Sequence, residues 1–431
     1  MQLNPDQENA AQAFFQFLFS DEREFSISGP AGTGKTFLMK HLIGKVLDEF
    51  YNARHLLQGE APPRFTPALT ATTNKAADVL SNSTGTEATT IHSFLGLKVK
   101  EDYTSGKQTI TKGRNAPFHV RSLLFIDEAP MVDQTLYKFI LEGVCSKSKI
   151  VYLGDHCQMA PVNEKISPVY TNPKHFVKLS QPMRNAGSPQ LISLCEDLRQ
   201  TVETLSFSPL VESSPSVLYM TSREAQYFVD KTFQEQVPDH RILCFTNNQV
   251  RDYNAHIRSI RGYGDKFLPG EILVNNSVLK DNKDNVALRA EDRLKVLSVS
   301  DRTSFMRFQD KSMEIYQASV LTLDGRMSLS VNIPADYSHY RSLLKHFAQK
   351  KEWWIYWNLA NNYPDLRPTD ASTVYKSQGS TFHTVLMDLS DIGKCRDLDQ
   401  LARMLYVGAS RATDRLILFG HLPNRIFQKA A

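Results

Sequence analysis

A chain of 431 residues, 41% apolar and 22% charged, is long enough for two to four domains with sizeable cores and has the balance of a soluble globular protein. Its five cysteines are scattered, odd in number and never in a C-x-x-C pair, so they support neither a disulfide framework nor a structural zinc site and fit a reducing cytoplasm. The net charge of +4 permits a nucleic-acid partner without arguing for one, no N-terminal signal pattern stands out, and no apolar run approaches the roughly 20 residues of a membrane span.

In chain order, the first pointed stretch follows a short apolar run at 25–28 that reads as a strand. Gly29, Pro30, Ala31, Gly32, Thr33, Gly34, Lys35 and Thr36 fill the pattern G-x-x-x-x-G-K-[ST]. Its glycines let successive backbone N–H groups turn inward around a phosphate. Lys35 is then placed to reach the β- and γ-phosphates, and the Thr36 hydroxyl to ligate Mg²⁺. Residues 37–47 have apolar spacing suited to a helix whose N-terminus faces that anion. A glycine-rich turn without chemical meaning is the bland alternative, and it fits this strand–loop–helix setting poorly.

Residues 94–120 change character. Short alternating runs at 98–100 and 108–112 flank Thr104, Ser105 and Gly106, which predicts a projecting hairpin with Tyr103 as its one bulky tip residue. The apolar runs 123–126 and 150–153 read as strands buried on both faces of a parallel sheet, with functional residues at their C-terminal ends. Asp127 and Glu128 directly follow the first run. Downstream of a phosphate loop, such an Asp holds Mg²⁺ through water and such a Glu accepts a proton from the attacking water. Gly154, Asp155 and Gln158 follow the second run, where the Gln158 amide can sense a γ-phosphate. Arg184 and Arg411 lie far apart. Surface arginines are usually only solvated or ion-paired. One from each of two α/β units, however, would neutralise the developing γ-phosphate charge across a cleft.

Residues 241–245 read as the first strand of a second α/β unit, and 385–389 and 415–419 as later ones. Alternating stretches such as 293–299 predict a β-rich insertion between them, whose end carries all three tryptophans, Trp353, Trp354 and Trp357. Core or interdomain packing is the bland reading of that cluster. The sharper one is a brace pressing the insertion against the hairpin, closing an arch over a nucleic-acid strand. Polar clusters at 72–75 and 246–248 follow one strand in each unit. Their hydroxyls and amides either hold strand phosphates or act as ordinary helix N-caps. His92 is likewise a strand contact or a hydrogen-bonded, partly buried histidine.

The motif order resembles that of superfamily 1 helicases. Gln7, in Asn4-Pro5-Asp6-Gln7, matches the adenine-reading Q motif, and 29–36 match motif I. Segments 69–77, 88–93, 127–133, 154–162, 179–185, 372–380 and 406–412 are similar to motifs Ia, Ib, II, III, IV, V and VI. D-E-x-x-M-V-D with G-D-x-x-Q-x-x-P-V resembles the RecD-like, 5′→3′ branch. The length, short hairpin and β-rich insertion look most like Dda-type phage DNA helicases.

The resemblance implies an α/β fold of two RecA-like P-loop domains. Domain 1A would span 1–93 and 121–185, with a pin hairpin 1B at 94–120. Domain 2A would span 186–265 and 366–431, with an SH3-like insertion 2B at 266–365. It implies an ATP-dependent DNA helicase that translocates 5′→3′ on single-stranded DNA and unwinds duplexes, in phage replication or recombination. The expected setting is a monomer in the cytoplasm of a bacterial host, with no membrane association and with replication or single-strand-binding proteins as partners. Lys35, Glu128, Gln158, Arg184 and Arg411 form the implied catalytic set. Gln7, the loop from Gly29 to Thr36, Asp127 and Gly379 would bind ATP, with Thr36 and, through water, Asp127 holding Mg²⁺. Thr73, Asn74, Lys75, Thr90, His92, Thr246, Asn247, Thr373 and Tyr375 would touch the DNA strand. Tyr103, Trp353, Trp354 and Trp357 would form the wedge and arch at a duplex junction.

Two departures stand out. Tyr375 occupies a place where this branch usually has His, and offers a stacking face to a base. Met183 stands where some relatives place an adenine-stacking tyrosine, so no stacking is expected from it. An RNA helicase and a nucleotide-regulated strand-binding protein that does not unwind are the alternatives.

Overall fold

The computed structural model describes residues 2–59, 63–161, 164–181, 189–210, 214–281 and 286–427. Its first six-stranded sheet has the order Ala88–Thr90, Thr66–Ala71, Ser122–Asp127, Lys149–Gly154, Glu24–Ser28, His175–Lys178, all parallel. The run Leu123, Leu124, Phe125, Ile126 is wholly buried, as expected of a strand covered on both faces. One face packs on helices Pro5–Phe19 and Leu47–Gln58, the other on helix Gln134–Gly143. The helix expected over 37–47 is interrupted: Lys35–His41 passes through a π turn, Leu42–Val46, into Leu47–Gln58.

The second sheet has the order Ala371–Thr373, His240–Cys244, Phe382–Asp388, Ala412–Phe419, Val217–Met220, again all parallel. Helices Pro189–Thr204 and Leu398–Ala409 cover one face, Ser222–Thr232 and Asn247–Ile260 the other. In both units the strands therefore end at one edge, where α/β sheets hold ligands.

Two pieces project from this frame. Leu97–Glu101 and Gln108–Lys112 form an antiparallel hairpin out of the first unit. A five-stranded antiparallel sheet, in the order Ser328–Pro334, Lys311–Thr322, Arg293–Phe308, Ile272–Asn275, Leu366–Pro368, interrupts the second. Helices Tyr337–Gln349 and Trp353–Asn362 pack on it through Tyr340, Phe347 and Leu359.

Candidate nucleotide cleft and strand groove

The phosphate loop runs from strand Glu24–Ser28 into helix Lys35–His41. Gly32 and Gly34 have φ of 86° and 75°, a region closed to most side chains. A Cβ on Gly29 would lie 2.8 Å from both Leu179 Cβ and the Leu179 carbonyl oxygen. Lys35 Nζ donates to the carbonyls of Gly29 (2.7 Å) and Pro30 (2.9 Å). Gln7 braces this loop from behind. Its backbone and side chain close a capping box with Asn4, and its Nε2 donates to the Thr33 carbonyl at 3.0 Å. The fully buried amide that the resemblance assigns to adenine is thus committed here to the helix cap and the loop.

Asp127 ends its strand, and Glu128 follows with φ of 51°. That left-handed backbone costs a non-glycine residue about 1–2 kcal/mol. It is held because the Glu128 N–H donates to Asp127 Oδ1 (2.9 Å) and its carbonyl accepts from Thr72 Oγ1 (3.0 Å). The turn aims both carboxyls at the loop. Burial raises the pKa of each; Asp127 adds to the rise at Glu128, while Lys35 opposes it at both and Arg411 at Glu128. Burial outweighs the nearby cations at this pair.

Other groups nearby lack partners. Gln158 Oε1 and, from the second unit, Gln378 Nε2 are buried without a hydrogen bond. Arg411 is buried, yet donates only to the Val407 and Ser380 carbonyls and the Ser410 hydroxyl. Between the loop at Pro30–Gly32 and the second unit's Tyr406 and Ser410 lies a cavity of about 360 Å³. Lys35 and Arg411, bonded among the described residues only to neutral oxygens, the unsatisfied amides and the buried acid pair fit a nucleoside triphosphate with Mg²⁺ on Thr36 and Asp127. Gly379, with φ of 66°, belongs to the loop that presents the Ser380 carbonyl to Arg411. Arg184 and Met183, with the rest of 182–188, lie outside the described residues.

The units are tied together at Asp155. Its fully buried carboxylate accepts from Tyr406 Oη (2.5 Å) and pairs with Arg199 Nη2 (3.4 Å). Burial alone would raise this acid, but Arg199, Lys35 and the Tyr406 hydroxyl outweigh it and hold the pKa below the usual range. Arg403 donates to the carbonyls of His156 (2.6 Å) and Gln158 (2.7 Å), and to Asp399 (2.8 Å). Sequence reasoning missed Arg199 and Arg403, since Arg403 four residues after Asp399 and Arg199 three after Glu196 read as solvated helix pairs. Tyr406 opens the motif VI segment.

A second cavity, about 270 Å³, opens where both units meet the insertion. Asn74, Lys75, Asn247 and Thr373 line it together with Arg241, Arg293 and Lys376. Burial lowers the pKa of all four of these cations, Arg241 to about 10. Arg241 Nε and Arg293 Nε are buried and unpaired. These arginines and Lys376 were not anticipated; nothing in their local spacing marks them, because three separate chain segments bring them together.

The remaining expected strand contacts have structural duties. Thr73 and Thr90 cap helices Asn74–Thr84 and Ile91–Phe94. Thr246 caps Asn247–Ile260 and donates to Asp391 at 2.9 Å. His92 is partly buried, which lowers its pKa against the pull of Asp133. Tyr375 is half-buried: its hydroxyl accepts from Gln400, and its ring packs against the second unit's core.

At the hairpin, the Trp353 ring sits against the turn. A Cβ on Gly106, whose φ is 72°, would fall 2.4 Å from it. Asn361 Nδ2 donates to Glu101 Oε2 at 3.0 Å, and Lys280 lies 3.5 Å from Glu101. Trp357 is buried within the insertion, and Trp354 is 69% exposed, so Trp353 carries the aromatic contact. Tyr103 is exposed beside this turn.

Residues 2–207 match the AAA domain family, and residues 368–419 match the UvrD-like helicase C-terminal domain family. The ATP-dependent DNA helicase dda of Enterobacteria phage T4 is 23% identical over 454 residues, covering 95% of this chain and 97% of that protein. The RecBCD enzyme subunit RecD of Mycolicibacterium smegmatis is 30% identical over 152 residues, covering 32% of this chain and 25% of that one. A Pif1 helicase, from a structural study of DNA unwinding at forked duplex DNA by two coordinating Pif1 helicases, shares the fold. The TM-score is 0.51 at 16% identity, over 99% of this chain and 94% of that one. The two family matches fall on the two parallel-sheet units in chain order, one bearing the phosphate loop and acid pair, the other the buried Arg411 that faces them. With sequence relatives of the Dda and RecD kinds, the chain belongs to the superfamily 1B helicases, in the Dda-like group.

Proposed function

We propose that the protein is an ATP-dependent DNA helicase that walks 5′→3′ on single-stranded DNA and opens duplexes ahead of it. One observation carries the coupling. Ser380 accepts from Arg411 through its carbonyl (3.3 Å) on the nucleotide side and from Lys75 through its hydroxyl on the groove side. A shift of Arg411 therefore moves a group that grips the groove lysine.

A bound Mg²⁺–ATP supplies the phosphoanhydride bond whose cleavage drives the cycle. Lys35 and Arg411 would neutralise the phosphate charge from the two units, and Thr36 and Asp127 would hold the metal. Glu128, raised by burial, orients the attacking water and takes its proton. Gln158 presents its unsatisfied oxygen, and Arg403 fixes the backbone on either side of Gln158's neighbour Cys157. In the groove, the unpaired cations hold phosphates without reading sequence. Contacts by Thr73, Thr90, His92 and Thr246 would be made by their backbones or by rearranged side chains.

The same reading takes the antiparallel insertion as SH3-like and the chain as a monomer serving phage replication or recombination, which the similarity to a phage protein along nearly its whole length supports. The deciding experiment compares strand displacement from duplexes with 5′ and 3′ single-stranded tails. Faster displacement from the 5′ tail is expected. Faster displacement from the 3′ tail would overturn the polarity, and ATP hydrolysis stimulated only by RNA would overturn the substrate.

A further inference from the structure

We propose that His156, Cys157 and Glu203 form a binding site for a thiophilic divalent cation of the zinc class, shared by the two units beside the nucleotide cleft. His156 Nε2 lies 3.5 Å from Cys157 Sγ and 3.1 Å from Glu203 Oε1. Tetrahedral zinc, with bonds of about 2.0–2.1 Å to nitrogen and about 2.3 Å to sulfur, separates neighbouring ligand atoms by roughly 3.3–3.6 Å. These two spacings already suit the metal, while Glu203 lies outside the group of ligand atoms within 4.8 Å of one another and must swing toward Cys157 Sγ to complete the site.

The surroundings are those of a ligand histidine. His156 Nδ1 sits 2.7 Å from Ser28 Oγ, a second partner that orients the ring and leaves Nε2 toward the cluster. Burial lowers the imidazole pKa and so favours the neutral, ligating form. The Asp155 carboxylate lies within 4.8 Å of the His156 and Cys157 ligand atoms; held by Tyr406 and Arg199, it contributes charge rather than a bond. Lys178, 3.3 Å from Glu203, is the cation that must yield, and Glu203 is exposed enough to swing.

Burial pushes the Cys157 thiol up to about 12, so in the free protein it keeps its proton. Binding replaces S–H by S–M and releases that proton to solvent, with no change of oxidation state. Mg²⁺, a hard cation that prefers oxygen, does not compete.

The placement gives the site a consequence. His156 and Cys157 lie in the turn after strand Lys149–Gly154 of the first unit, while Glu203 lies on helix Pro189–Thr204 of the second. A cation bound across them restrains cleft opening. The inhibition rests on the helicase reading above; the binding does not.

The test is a Cd²⁺ titration of the full chain, followed by the ultraviolet charge-transfer band of a cadmium thiolate. One equivalent should give the band, Cys157→Ser should abolish it, and Glu203→Gln should weaken binding at least tenfold. In a parallel ATPase assay with excess Mg²⁺, Zn²⁺ should inhibit reversibly by chelation, with the same tenfold weakening in Glu203→Gln. A band of undiminished intensity in Cys157→Ser, or unchanged Cd²⁺ affinity in Glu203→Gln, overturns the site. Because Cys157 is buried, the exposed Glu203 variant serves as the arm independent of folding. Cd²⁺ binding without any effect on hydrolysis overturns the tie between the units. A protein without ATPase would fail the helicase reading and leave the cadmium result to stand by itself.

Discussion

The two parallel sheets are woven alike, yet their carboxyl ends carry opposite chemistry. The first ends in a phosphate loop and in Asp127 and Glu128, whose pKa values burial raises against the opposing pull of Lys35 and, at Glu128, of Arg411. The second also has acids after a strand, but Asp391 is saturated. It accepts from the Phe245 N–H (2.9 Å), the Thr246 N–H (2.7 Å), Thr246 Oγ1 (2.9 Å) and Lys394 Nζ (2.8 Å). Four donors thus commit Asp391 to its own loop, whereas Asp127 Oδ1 accepts the Glu128 N–H. What the second unit sends into the cleft is positive: Arg199, Arg403 and Arg411. On the proposed reading the site is divided, with Lys35 and the metal and water chemistry on one wall and the arginines on the other, and it is complete only when the walls meet.

The contrast can be broken most forcefully at Arg411. Arg411→Ala should lower strand-stimulated kcat about 10³-fold or more while ATP still binds. A loss of less than tenfold would remove the second wall from the chemistry. Next comes the pair of acids. Asp391→Ala leaves two backbone N–H groups unpaired and should destabilise the fold by about 1–3 kcal/mol, read as a fall in Tm. Asp127→Asn should abolish hydrolysis yet leave Tm unchanged or raise it. Equal destabilisation by both would erase the distinction between them. The smallest effect is expected at the arch: Trp353→Ala should slow duplex unwinding a few-fold and spare strand-stimulated hydrolysis. An equal loss of both activities would mean that Trp353 supports the motor fold itself.

How much of this was legible in the sequence depends on whether a feature is local. The phosphate loop, the acid pair after its strand and the α/β class follow from short patterns with a fixed backbone purpose. The π turn at Leu42–Val46 leaves no such mark, because the apolar spacing continues smoothly through it. Thr246 and Thr73 looked like strand contacts because a helix N-cap and a phosphate ligand select the same residue types. Tyr375 looked free because Gln400, which engages it, comes from a helix 25 residues later. The groove cations Arg241 and Arg293 lie on different sheets and meet only after the insertion has folded back. Trp353 was singled out with its neighbours, but only the turn at Gly106 distinguishes it from Trp354 and Trp357.

The most direct test of the divided cleft is Lys35→Ala, assayed for ATP hydrolysis and for salt-sensitive binding to single-stranded DNA in the same preparation. Lys35 bonds only to carbonyls of its own loop, so its loss should leave the fold and the strand groove intact. The account predicts that hydrolysis and unwinding disappear while strand binding persists. Hydrolysis retained in this variant would contradict it.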